Sequence, residues 1–134
     1  MTQASPQATV ARFVAALQRS DLDAAVTCYE ADALFVPQPG VVVRGHAAIR
    51  EALTQLLAAQ PRLLTQSEQV LACGDVALYH SRWQLHGRAP DGSTFSEQAL
   101  SADVLRCAPD GAWRIAVDNP WGAALLDTAA GAPA

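Results

Sequence analysis

The chain has 134 residues, enough for one ordinary domain with its own core and no need of metal or disulfide staples. Hydrophobic residues make up 51% and charged residues 16%, a balance that excludes intrinsic disorder. The net charge of -4 argues against a nucleic-acid partner, which calls for a clustered basic face, and all 9 basic residues are Arg, so lysine-based Schiff-base and phosphate chemistry is excluded.

The first residues, Met1 to Phe13, carry neither a basic leader nor an apolar one, and nowhere do about 18 apolar residues run together. A cytoplasmic protein with no membrane partner is expected. Cys28, Cys73 and Cys107 form no C-x-x-C pair and are read as reduced structural thiols.

Ser5-Pro6 supplies an N-cap and a proline at the first helical position, and Val10, Phe13, Val14 and Leu17 then recur on one helical face. Ser20-Asp21 caps a second helix whose apolar face is Leu22, Ala25, Val26 and Tyr29. Ala33 to Val36 predicts a strand closed by Pro37-Gln38-Pro39-Gly40, and Val41-Val42-Val43 predicts its return. A third helix follows Gly45 over His46 to Gln60, with Ile49, Leu53, Leu56 and Leu57 on one face and Pro61 ending it. Four long strands come next: Leu63 to Ala72, Val76 to Gly87, Ser93 to Ala108 and Trp113 to Asn119. They are separated by Cys73-Gly74-Asp75, Pro90-Asp91-Gly92 and Pro109-Asp110-Gly111, each a tight-turn signature.

This order predicts an α+β fold, a cone-shaped curved antiparallel sheet with three N-terminal helices packed on its concave face. Such a cone leaves an apolar cavity, the default ligand site of a small fold. One domain is expected over 1–122, followed by a flexible Ala-rich tail over 123–134.

The runs Ala11-Arg12-Phe13, Ser20 to Ala25, Asp32 to Phe35 and Val43 to Ile49, with Trp83, Ser101 to Arg106, Pro109-Asp110-Gly111 and Trp113-Arg114-Ile115, resemble a known superfamily. It is the nuclear-transport-factor-2-like superfamily, which includes ketosteroid isomerases and SnoaL-like cyclases; the carboxy-terminal half is similar to its uncharacterised small-protein branch. The isomerase chemistry uses a carboxylate base together with a tyrosine and a protonated aspartic acid that hold the developing oxyanion. The resemblance puts Phe13 at the tyrosine position and Pro37 at the base position, neither able to do the work, while Asp103 matches the protonated acid. Ketosteroid isomerisation itself is therefore disfavoured. Trp121 matches a tryptophan that lines the isomerase cavity.

Alternation along Val76 to Leu85 puts Ala77, Tyr79, Ser81, Trp83 and Leu85 towards the cavity, and His80, Arg82, Gln84 and His86 towards solvent or a second copy. The candidate pocket is Tyr29, Phe35, Tyr79, Trp83, Ser101, Asp103, Asn119 and Trp121. Asp103 is the leading candidate acid. Asp118, ahead of Asn119-Pro120, is read first as a turn former and second as an acid or base acting with Asp103; His80 joins the site only if the strand register is opposite. The histidines have no metal-ligand spacing, and no phosphate loop or nucleophile motif occurs, so neither metal nor cofactor is expected.

The function implied is binding of a small hydrophobic molecule in the cone, with cofactor-free proton transfer or cyclisation on a carbonyl compound. The alternative is a non-catalytic dimerisation or ligand-sensing module. Homodimerisation through the sheet face is expected under either.

Overall fold

The computed structural model describes residues 4–127. Helix α1 spans Pro6–Gln18, with the Ser5 hydroxyl accepting from the Ala8 amide at 3.0 Å as its N-cap. Helix α2 spans Leu22–Thr27, and the Asp21 carboxylate accepts from the Ala24 amide. Tyr29, grouped above with the face of α2, lies beyond the helix and begins strand β1 (Tyr29–Gln38). β1 is longer than the apolar run suggests because it absorbs Pro37 at a register shift between Phe35 and Gln38, where no ladder amide is needed. Strand β2 (Val41–Arg44) returns antiparallel to it, and helix α3 (Gly45–Ala58) follows the hairpin.

Strands β3 (Arg62–Cys73), β4 (Val76–Arg88), β5 (Thr94–Cys107) and β6 (Trp113–Asp118) form the predicted meander, within one residue of the expected limits at most ends. The six strands make one curved, unclosed sheet in the order β2-β1-β6-β5-β4-β3. The sheet is not wholly antiparallel: β1 and β6 run parallel, starting where the Ile115 amide donates to the Cys28 carbonyl at 2.8 Å. The whole middle of the chain separates these two strands, which supplies the long crossover a parallel pair requires.

The helices cover one face. Ile49 and Leu53 of α3, Leu17 of α1 and Val26 of α2 are buried with Leu105, Ile115 and Tyr79 of the sheet. Each such side chain contributes about 1.5–3 kcal/mol by leaving water. Gln18 fastens the end of α1 to the free edge strand, accepting from the Leu63 amide (2.7 Å) and donating to the Pro61 carbonyl (2.9 Å). A short 3-10 turn, Gly122–Ala124, packs on β5 where the domain expected over 1–122 meets the tail expected over 123–134; residues 128–134 of that tail lie outside the described residues. Among the described residues, no helix is long and apolar enough to cross a membrane.

Candidate functional site

Between α1, α3 and the inward face of the sheet lies a cavity of about 170 Å³. Its wall is apolar along the helices, where Phe13, Leu17, Leu53 and Leu56 face it. The register of β4 is the predicted one. Tyr79, Ser81, Trp83 and Leu85 line the cavity, whereas His80, Arg82 and His86 are exposed on the opposite face. His80 is thus no neighbour of the cavity acids, because adjacent residues of a strand point to opposite faces. Phe13 and Pro37 both line the wall, with neither hydroxyl nor carboxyl to offer.

The acids gather at one end. Asp103, in the middle of β5, and Asp118, last residue of β6, both line the cavity, and each is only 8% exposed. Asp103 Oδ1 accepts from the Asn119 amide at 2.7 Å, and Asp118 Oδ2 accepts from the Tyr29 hydroxyl at 2.5 Å. The two carboxyls are hydrogen-bonded to each other. Asp103 has its carboxyl raised well above the ordinary range, first by burial and then by the Asp118 charge, against the opposing pull of the Asn119 amide. Asp118 is raised by burial to about 6, held from rising further by the hydrogen bonds from Tyr29 and Asp103. Two buried carboxyls side by side resist ionising together, so the loss of a proton from one makes its loss from the other harder.

Asp118, read first as a turn former, closes a buried strand and lines the cavity beside Asp103. Tyr29 and Asn119 are corrections in the other direction. Neither lines the cavity; Tyr29 stands behind the acid pair, 1% exposed, with its ring edge-on to Phe13 at 5.3 Å, and Asn119 contributes its backbone amide.

The remaining polar groups are already partnered. Ser81 and Ser101 share a 2.7 Å hydroxyl contact, and Ser101 also bonds Asp103. Tyr79 donates to Glu68 at 2.5 Å, and burial together with that carboxylate pushes its phenol far up. Trp83 and Trp121 meet edge to face with centroids 5.5 Å apart, and their indole N–H groups donate to the carbonyls of Pro120 (2.7 Å) and Val36 (3.0 Å). Both indoles thus present only ring surface to the cavity.

Sequence reasoning missed Glu97 and Thr65. Glu97 was accessible in principle, since stepping back from Asp103 by twos along β5 passes Ser101 and Ala99 to reach it. Among the described residues, no group of three or more His, Cys, Asp or Glu is placed to hold a metal ion.

Comparison with known proteins gives the chain its relatives. The family model for the SnoaL-like domain matches residues 10–116. A single-residue variant of Rv3472 from Mycobacterium tuberculosis, described as a protein of unknown function, is similar at 29% identity and a TM-score of 0.72, over 84% of this chain and 70% of that one. A nuclear transport factor 2-like superfamily protein from Salmonella enterica serovar Typhimurium is similar at 18% identity and TM-score 0.74, over 83% of each chain. A ketosteroid isomerase-like protein from Erwinia carotovora atroseptica is similar at 16% identity and TM-score 0.71, over 84% of this chain and 88% of the other. No curated protein matches.

Proposed function

The chain belongs to the SnoaL-like domain family, and from that premise we propose that it moves a proton within a small hydrophobic carbonyl compound bound in the cone, using the Asp103–Asp118 pair and no cofactor. The observation that carries the proposal is the pair itself: two adjacent carboxyls at the end of an apolar cavity, steadied by Tyr29 and the Asn119 amide. Asp118 is the ionised partner and takes a proton from the carbon beside the substrate carbonyl. Asp103 gives its proton to a second atom of the resulting dienolate. The pair ends with one proton, as it began, now on Asp118, and transfer across the hydrogen bond between the carboxyls restores the starting state. A positioned acid or base contributes about 10²–10⁴-fold in rate. Steroid isomerisation is disfavoured, since Phe13 and Pro37 stand where a tyrosine donor and a base would be.

The test follows deuterium from heavy water into the carbon beside the carbonyl of cyclohexenone and related single-ring enones, by NMR. Exchange should be at least about 100-fold faster with the wild-type protein than with Asp118→Asn. Equal rates for the two proteins would sink the proposal.

A second property is proposed on a separate observation. The outward face of β3, β4 and β5 exposes Leu71, Leu78 and Leu100 at 54%, 45% and 54% beside His80, Arg82 and Gln84. Large apolar side chains clustered on a sheet face suit a self-complementary contact about a two-fold axis, and we assign this face to a homodimer. Light scattering should give twice the chain mass for the wild type and the chain mass for Leu78→Glu/Leu100→Glu; a wild-type monomer at about 100 μM, well above the micromolar affinities at which interfaces of ordinary size hold, would refute it. The unpaired thiols of Cys28, Cys73 and Cys107 accord with a cytoplasmic setting.

A further inference from the structure

We infer that the ligand of this cavity is an uncharged single-ring carbonyl compound that also carries a hydroxyl group, and that acids and multi-ring molecules are rejected. This inference rests on the proposed site and deepens it.

Size comes first. At about 170 Å³ the cavity is close to an engineered apolar cavity of about 150 Å³ that holds one benzene. A single ring with one or two substituents fills it. A fused four-ring skeleton exceeds this volume, and the indoles of Trp83 and Trp121 in the wall are anchored to backbone carbonyls.

Charge comes second. None of the described residues lining the cavity is Arg or His, while Asp103 and Asp118 stand at one end and Glu97 is exposed further along β5. A cleft lined by one sign of charge repels ligands of that sign over its whole length. A carboxylate or phosphate entering here would meet no counter-charge and would lose its water.

Hydrogen-bonding capacity comes third. Every donor at the acid end is already used. Tyr29 donates to Asp118, the Asn119 amide and Ser101 donate to Asp103, and the two carboxyls bond each other. The four carboxylate oxygens keep lone pairs to spare, because each can accept about two hydrogen bonds. Acceptors are therefore in surplus, and the ligand group that matches them is an O–H donor. The indoles of Trp83 and Trp121 have no donor free, so their surface takes the apolar side of the ring.

The probes are phenol, its methyl ether anisole, benzoate and a four-ring steroidal phenol, titrated at pH 7 by ligand-observed NMR and calorimetry into the wild-type protein. Phenol should bind saturably, anisole at least about 10-fold more weakly for want of the hydrogen bond to a charged group, and benzoate and the steroid not measurably. Benzoate or the steroid binding as tightly as phenol, anisole matching phenol, or no saturable phenol binding would each overturn the inference. The parallel deuterium-exchange comparison of wild type with Asp118→Asn separates the two levels. Exchange that depends on Asp118 alongside tight steroid binding leaves proton transfer standing and removes the ligand class. Selective phenol binding with exchange indifferent to Asp118 does the reverse.

Discussion

The Tyr29 hydroxyl donates to Asp118 Oδ2 at 2.5 Å across 89 residues of sequence, joining the first strand of the sheet to the last just behind the acid pair. The contact makes the parallel β1/β6 pairing part of the site, because the same strand that completes the sheet delivers the hydroxyl that steadies the Asp118 charge.

Tyr29→Phe removes that hydroxyl and nothing else of comparable size. A hydrogen bond to a charged group is worth about 1.5–3 kcal/mol, so urea unfolding at pH 8, where Asp118 is ionised, should show a loss of about 2 kcal/mol. At pH 5, where Asp118 is protonated, the loss should shrink. The variant's Asp118 should also titrate above the wild-type value of about 6.

Stability should fall as pH rises from about 4 to 8. Both buried aspartates have folded-state values raised above those of the unfolded chain, so the folded protein binds more protons in this window and loses stability as they leave. Asp21, Asp91 and Asp110 are lowered by hydrogen bonds, and their opposite contribution is lost only below about pH 4. Thermal unfolding at intervals of one pH unit should give a melting temperature several degrees lower at pH 8 than at pH 5, with a smaller slope in Asp118→Asn, where Asp103 alone remains. A melting temperature that rises across this range would contradict the raised values.

Two changes at Asp103 should have opposite signs. Asn keeps an oxygen for the Asn119 amide and, unlike the buried Asp103 carboxyl, takes up no proton on folding, so Asp103→Asn should melt higher than wild type at pH 8. Leu leaves that amide without its acceptor, which costs about 1–3 kcal/mol. Calorimetry of the two variants at one pH decides it; the same sign for both would show that the Asn119 contact is not what Asp103 supplies to the fold.

Gly122 is the residue that turns the chain from Trp121 back over β5. It has φ +56, and a Cβ there would lie 2.4 Å from the Leu100 carbonyl oxygen. Gly122→Ala should destabilise the protein by roughly 2 kcal/mol or more, the left-handed conformation alone costing about 1–2. Tryptophan fluorescence should shift with it, as Trp121 is the neighbouring residue.

Much of this was legible in the chain because it is local. The period of two along β4 put Tyr79 and Trp83 on one face and His80 on the other, and the three Gly-containing turns fixed where the strands of the meander break. Asp103 stood out because the resemblance matches it to a protonated acid and because it sits mid-strand between Ala102 and Val104. What was not legible is what long-range pairing decides. Nothing near Tyr29 announces that it begins a strand parallel to β6, and the helical spacing from Leu22 pointed to the wrong element. Asp118 was obscured for the same reason: Asp-Asn-Pro has the chemistry of a turn, and only the approach of β1 and β5 from distant parts of the chain makes it a buried acid. Pro37 likewise reads as a strand breaker, whereas the register shift beside it lets β1 run on to Gln38.

The central claim is that Asp103 and Asp118 hold one proton between them near neutrality. Carboxyl carbon chemical shifts of protein labelled with carbon-13 at aspartate, followed from pH 4 to 9 and assigned with Asp103→Asn and Asp118→Asn, measure this directly. One buried carboxyl should ionise near pH 6 and the other well above the ordinary carboxylate range. Two ordinary titrations complete below pH 5 would mean that the pair is fully charged at neutral pH and has no proton to give.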